Sequence, residues 1–297
     1  MPSNPLISIV IPTWNRVDTV VRAVESVNYY KNNIEIVVVD NASEQNIYNS
    51  LKEQLEKYNN VFLYRNETNI GMVANWNKAI ELANGQWISL MCSDDEFYPD
   101  AFSRVTEIIK SNNYPCLIIQ SLEISDDIEF SEHGIETVKN LNLPIVSGNF
   151  WHRSITEIIG GFDTRLKYSP DAEFWLRIAF NYPIIKVRQP FAKYNIHNSN
   201  FMWDTWAMDD FLDQITLLAT INLNYFYVKM PDISQQEEIL LSGQVETLKT
   251  MLTLLKKEKS RTSLFTRYYF KAWGIFHGYK NRIFLVRVLL SKIYNQI

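Results

Sequence analysis

Five short apolar runs within the first 120 residues constrain this chain more than any other feature. They are Leu6–Ile11, Ile34–Val39, Val61–Tyr64, Trp87–Met91 and Cys116–Gln120. The longest are continuous and β-branched rather than alternating, which is the pattern of a strand covered on both faces. Between the runs the spacing turns helical. Asp18 to about Tyr29 carries Val20, Val21, Val24 and Val27, and Ile47–Tyr58 is amphipathic. Val73–Ala83 stops at the Asn84-Gly85 pair, and Pro99 opens a segment reaching about Lys110. Strands alternating with helices predict an α/β fold with a mostly parallel sheet flanked by helices.

Residues 121–147 follow no regular period. A helix is expected near Ala172–Asn181 and a strand at Ile184–Val187. Beyond about Ser199 long helical segments dominate. The expected organisation is an α/β domain over 1–200 and a helical region over 201–297.

Composition removes several alternatives. Two cysteines, Cys92 and Cys116, cannot build a disulfide scaffold and point to a reducing, cytoplasmic setting. With four scattered histidines they cannot form a zinc cluster either. Nine glycines in 297 residues is sparse, and neither GxGxxG nor GxxxxGK[ST] occurs. The apolar run at the start is too short for a signal peptide core, and no apolar stretch has the length of a membrane span.

In open α/β sheets ligands gather at the carboxyl ends of the strands. There the sequence places Pro12-Thr13-Trp14-Asn15-Arg16, then Asp40-Asn41-Ala42-Ser43, then Cys92-Ser93-Asp94-Asp95-Glu96. An aromatic ring suits a base, a lone carboxylate can accept from an imide N–H, and an acidic cluster suits a hard cation bridging a diphosphate. Each also has an ordinary structural explanation, as packing, turn chemistry or a helix N-terminus. Their joint placement at successive strand ends raises the functional reading above those.

The stretches ISIVIPTWNR, IEIVVVDNAS, NETNIGMVANWNKAIELANGQWISLMCSDDEFYPDAF and IGGFDTRLKYSPDAEFWLR together resemble a family 2 glycosyltransferase with the GT-A fold. The resemblance runs from about Ile7 to Arg177. It implies that Pro12, Thr13 and Trp14, with Arg16 beside them, cup the nucleobase, and that Asp40 reads the base with Asn41 next to it. Asn69 and Gly71 match a turn lining the nucleoside pocket, with Asn75 and Lys78 on the helix that follows. Asp94 matches the metal-bound acid, with Asp95, Ser93 and Cys92 around it. The family commonly reads Asp-x-Asp-Asp where this chain reads Cys92-Ser93-Asp94-Asp95, so a thiol stands where an acid would contact the ribose. A thiol is a poor acceptor, and Mg²⁺ or Mn²⁺ prefers oxygen.

The same resemblance implies a catalytic base in Ser169–Trp175. Asp171 aligns with the family's acid, and Glu173 is the alternative. Two residues apart on a helix, they face different ways. His197 falls where some members place a histidine near the metal. Asn149 and Trp151 fall in a segment resembling an acceptor-facing loop, Gly148–Arg153.

The implied activity is metal-dependent, inverting transfer of a sugar from a nucleoside diphosphate, most plainly UDP, to a hydroxyl of a glycan or lipid-linked saccharide. Two rival readings stay open: a nucleotidyltransferase on a related fold, disfavoured by the glycine-free turn after the first strand, and a non-catalytic nucleotide-sugar-binding module, suggested by Cys92. Charge is uneven: Met251–Ile297 carries net +9 against −13 for the rest. Its basic residues alternate with aromatics, which predicts contact with an anionic membrane surface rather than nucleic acid. That would place the protein at the inner face of the cell membrane. A homo-oligomer built through the same helices is the alternative.

Overall fold

The computed structural model describes residues 5–28, 33–112, 114–120, 128–131, 146–167 and 170–195. The chain divides into two units, Met1–Thr205 and Trp206–Ile297, and every described residue falls in the first. The helical region expected over 201–297, its basic segment and His197 lie outside the described residues.

Ten strands and six helices are described. The strands are β1 (Ile7–Thr13), β2 (Ile34–Asp40), β3 (Val61–Arg65), β4 (Trp87–Leu90), β5 (Glu96–Phe97), β6 (Leu117–Gln120), β7 (Ile128–Ser131), β8 (Phe150–His152), β9 (Ile184–Val187) and β10 (Ala192–Lys193). The helices are α1 (Asp18–Asn28), α2 (Gln45–Leu55), α3 (Met72–Leu82), α4 (Ala101–Ser111), α5 (Arg153–Ile159) and α6 (Pro170–Ala179). Eight strands form one sheet in the order β3-β2-β1-β4-β8-β6-β9-β7, and β10 pairs with β5 in a separate ribbon. Pairing is parallel from β3 through β2 and β1 to β4, and again between β6 and β9. β8 runs antiparallel between β4 and β6, and β7 antiparallel along β9.

The unbroken apolar runs have their explanation in the core. Every residue of β1 and β2 is buried. Successive side chains feed opposite faces of the sheet, as the pleat requires. Ile7, Ile9 and Ile11 join Ile36, Val38, Val20, Val24, Leu51 and Phe102 in one apolar cluster, beneath α1, α2 and α4. Val10, Val37 and Val39 enter a second cluster with Trp76, Ile80, Phe174, Trp175 and Ile178, beneath α3 and α6. No helix among the described residues is long and apolar enough to cross a membrane.

Local differences from the sequence reading have physical causes. Pro99 does not open α4. The Ala101 N–H bonds back to the Tyr98 carbonyl, so Tyr98-Pro99-Asp100 is spent on a turn and the helix begins after it. The segment resembling an acceptor-facing loop is instead β8 and the start of α5. Trp151 is fully buried, its ring centroid 5.5 Å from Phe174 and 5.7 Å from Trp175, and Asn149 is buried too. A three-residue strand held between two neighbours has too little period to be read from sequence.

At the opposite pole from the strand ends, Glu35 is buried and accepts from Ser8 Oγ at 2.5 Å, from Gly85 N at 3.2 Å and from the Asn84 backbone N–H. A side chain at position 85 would collide with the Ser8 backbone at 2.5 Å, which explains the glycine of the Asn84-Gly85 stop.

Candidate active site

β1, β2 and β4 are parallel neighbours, so Thr13, Asp40 and the turn after Leu90 reach the same edge of the sheet. Thr13 sits opposite Asp40 in the register. β8 runs the other way, so its beginning meets this edge, and it brings Ser147 there.

The turns after β1 and β2 are clasped together. Asn41 N donates to the Thr13 carbonyl at 2.9 Å, Asn15 N donates to Ser43 Oγ at 2.7 Å, and Glu44 N donates to Asn15 Oδ1 at 2.9 Å. Asn15 (φ 51°) and Ala42 (φ 58°) lie in the left-handed region. Asparagine tolerates that readily; an alanine there costs about 1–2 kcal/mol, held by the surrounding bonds. Trp14 is left 53% exposed, a free ring face beside the clasp. Asp40 is fully buried. Its oxygens accept from Ser43 N at 3.1 Å and from the Ser43 hydroxyl, and Arg65 Nε lies 3.4 Å away. Thr13 Oγ1 is buried with no hydrogen-bond partner among the described residues. An orphaned hydroxyl costs about 1–3 kcal/mol, which a ligand's polar group at this place would relieve.

A network of four carboxamides shapes the next turn. Asn41 Nδ2 donates to Asn69 Oδ1 at 2.9 Å, and its Oδ1 accepts from Ile70 N at 3.0 Å. Asn66 Nδ2 donates to both Asn41 Oδ1 (3.0 Å) and Asn75 Oδ1 (2.8 Å). Asn75 is buried and donates to the Val39 carbonyl at 3.1 Å. Asn41 and Asn75 therefore hold the turn rather than face solvent, and Gly71, at φ 87°, gives it its bend. Asn66 was not singled out from the sequence; nothing in its local pattern marks it. Lys78 pairs with Glu81 at 3.1 Å on the surface of α3.

After β4 the chain turns sharply through the acidic cluster. One ligand atom from each of Cys92, Asp94 and Asp95 lies within 4.8 Å of the others. Ser93, Asp94 and Asp95 are buried. Asp95 is braced on two sides, accepting from Ser147 Oγ at 2.5 Å and from Asn195 N at 3.1 Å. Ser147 also accepts from Cys92 N at 2.9 Å, and Asn195 Nδ2 donates to the Asp94 carbonyl at 2.8 Å and to Glu96 at 3.0 Å. Asp94 Oδ2 meets Arg16 Nη1 at 2.5 Å. Burial pushes the Cys92 thiol well up, and the charges of Asp95, Asp94 and then Asp171 add to that. The donors that fit a hard cation are the carboxylates, with Asp94 the outermost.

Asp171 stands in the first turn of α6. Loss of hydration raises its carboxyl to about 6, against the pull of the Ala172 N–H and its own. Its charge adds to the upward push on the Cys92 thiol. Glu173 is engaged elsewhere. It is buried, both its oxygens bond Arg177 at 2.8 Å, and Arg177 also donates to the carbonyls of Ile159, Gly160 and Gly161. Glu173 is therefore a structural tie, and the sequence expectation that it could serve as base is set aside.

A family model described as glycosyl transferase family 2 matches residues 8–170, more than half of the chain. The chain belongs to that family. This glycosyl transferase is 29% identical over 210 residues to WcaA of Escherichia coli K12, named for colanic acid biosynthesis; the match covers 61% of this chain and 69% of WcaA. A glycosyltransferase of Methanocaldococcus jannaschii is 24% identical over 65% of this chain and 72% of its own. Among solved structures, S. aureus TarS residues 1–349 in complex with UDP-GlcNAc superposes with a TM-score of 0.62 at 16% identity, over 79% of this chain and 70% of that one. The mannosyltransferase PcManGT from Pyrobaculum calidifontis, in complex with GDP-Man and Mn²⁺, gives 0.57 at 12% identity, over 95% and 89%. Both share the fold with this family 2 glycosyl transferase.

Proposed function

We propose that this family 2 glycosyltransferase moves a hexose from a UDP-linked donor to a hydroxyl of a glycan or lipid-linked saccharide, with inversion at the anomeric carbon and with a divalent ion. The observation that carries the reading is the acidic cluster of Asp94 and Asp95, with Cys92, at the edge where Thr13 and Asp40 end their strands.

Trp14 offers its exposed face to the uracil ring, Asp40 accepts from the imide N–H, and Thr13 Oγ1 gains the partner it lacks. Asn41, Asn66 and Asn75 hold the Asn69–Gly71 turn around the nucleoside. Cys92 gives the ribose a weak contact only. Asp94 would hold Mn²⁺ or Mg²⁺, which when bound neutralises charge on the departing diphosphate. Asp95 keeps the acidic turn in shape through Ser147 and Asn195. Asp171 takes the proton from the acceptor hydroxyl as its oxygen attacks the anomeric carbon from the face opposite the diphosphate. The bond to the diphosphate breaks, and no covalent enzyme intermediate forms. Support comes from the family, and from neighbours of like fold solved with nucleotide sugars.

For the acceptor, the reading rests on the basic, aromatic segment 251–297, which would hold the protein at an anionic leaflet. The test is a screen of nucleotide sugars by thermal shift with Mn²⁺, followed by donor hydrolysis with and without Mn²⁺ and by NMR of the product anomer. A UDP-sugar that stabilises the protein only with metal, and a product of inverted configuration, is expected. Metal-independent turnover or retained configuration would refute those elements. Full-length protein should also co-sediment with phosphatidylserine vesicles at low salt and not with neutral ones.

A further inference from the structure

Asn77 of α3 clasps the backbone of Phe162. Its Oδ1 accepts from Phe162 N and its Nδ2 donates to the Phe162 carbonyl, each at 2.8 Å. Two bonds to one residue fix its orientation as well as its place. Arg177 of α6 holds the same corner from the other helix, donating to the carbonyls of Ile159 at 2.5 Å and Gly161 at 2.6 Å. Between them the Phe162 ring centroid lies 5.2 Å from that of Trp76 on α3 and 4.3 Å from that of Phe174 on α6. Residues 159–162 thus support both helices at once. Resting on the reading of Asp171 as the base, we propose that Asn77 is a positioning residue: through this corner it sets where α6 holds Asp171, and it touches neither donor nor acceptor.

Three features support this. Asn75, two residues before Asn77, belongs to the carboxamide network that shapes the Asn69–Gly71 turn. Residues two apart on a helix point to different sides, so α3 is tied to that turn on one side and to the corner on the other. Next, the clasp is a close fit. A Cβ at position 161 would lie 2.4 Å from Asn77 Oδ1, and the glycine there leaves the carboxamide room to reach Phe162. Lastly, the Glu173–Arg177 pair carries the corner's hold into the first turn of α6, where Asp171 stands. A general base must reach the proton it takes, and a misplacement of about 1 Å can cost on the order of 10²-fold in rate. A clasp remote from the proton can therefore govern the rate without governing binding.

The test compares full-length variants for UDP affinity, by calorimetry with Mn²⁺, and for kcat of UDP release from the nucleotide sugar that most stabilises the wild type. Asn77→Ala removes both bonds and should lower kcat about tenfold or more, with UDP affinity within about threefold of wild type. Gly161→Ala leaves Asn77 in place but pushes its carboxamide off Phe162, and should do the same. Val105→Ala, on α4 in the other apolar cluster, should lower the melting temperature with kcat unchanged. In an Asp171→Asn background, Asn77→Ala should cost less than about twofold further, because it acts through a base already gone. The positioning role is refuted, while the base reading stands, if Asn77→Ala and Gly161→Ala both keep kcat near wild type, or if Val105→Ala loses kcat equally. It is refuted as well if the losses of Asn77→Ala and Asp171→Asn multiply in full, or if UDP affinity falls as far as kcat. If no nucleotide sugar is turned over, or Asp171→Asn releases UDP as fast as the wild type, the base reading falls, and this inference with it.

Discussion

Glu173 and Arg177, one turn apart on α6, form a two-point ion pair inside the core, each bond 2.8 Å long. Asp171, two residues earlier on the same helix, pairs with no such cation among the described residues, and burial raises its carboxyl to about 6. Two acids of one helix thus differ: Glu173 fixes the helix to the Ile159–Gly161 corner through Arg177, and Asp171 is the one that the proposed function takes as base.

Their variants should separate cleanly. Asp171→Asn is expected to lower transfer 10²–10⁴-fold with UDP binding retained. Glu173→Gln should instead leave Arg177 buried without its counter-charge and cost about 3–5 kcal/mol, read as a shifted urea midpoint. Near wild-type transfer by Asp171→Asn would remove it as the base.

The raised pKa of Asp171 sets two pH dependences of opposite sense. As a base it works ionised, so kcat/KM should fall tenfold per pH unit below about 6. For stability the sign reverses. The folded pKa, about 6, exceeds the unfolded 3.8, so the folded state holds the proton more tightly and loses stability as pH rises through this window. Asp171→Asn should melt with the wild type near pH 4 and above it at pH 8. An Asn variant that melts no higher than the wild type at pH 8 would contradict the raised pKa.

Thermal shift with UDP and Mn²⁺ distinguishes the two groups of the acidic turn. Asp94→Ala should abolish the stabilisation, which reaches about 2.7 kcal/mol at a hundredfold excess over Kd. Cys92→Ala should preserve it, because a hard cation gains little from a thiol. Equal losses would make Cys92 a ligand.

Asn66→Ala tests the carboxamide network. It leaves the buried Asn75 Oδ1 without its donor, which should cost about 1–3 kcal/mol. UDP affinity should fall too, although in the proposed reading Asn66 itself touches no ligand. Unchanged UDP affinity in a measurably destabilised protein would show that the turn keeps its shape without the network.

The parallel half was legible because its code is local. β1, β2 and β4 declare themselves by apolar runs, and ligand-facing residues follow strand ends as a matter of topology. The antiparallel half was not, since β8 spans three residues and its place between β4 and β6 depends on partners far along the chain. Ser147 and Asn195 carry no pattern of their own; they became visible only as the donors to Asp95. Likewise Glu173 and Asp171 look alike in sequence, and only Arg177's position inside the core tells them apart.

The bracing of Asp95 has a consequence for biosynthesis. Its partners Ser147 and Asn195 follow it by 52 and 100 residues. The carboxamide network, by contrast, closes between residues 41 and 75. On a ribosome, where chains fold from the N-terminus as they emerge, the carboxamide network can take shape early. The acidic turn waits until a hundred more residues have left the exit tunnel. A nascent chain stalled near residue 120 would thus hold the carboxamide network beside an acidic turn that still lacks both braces.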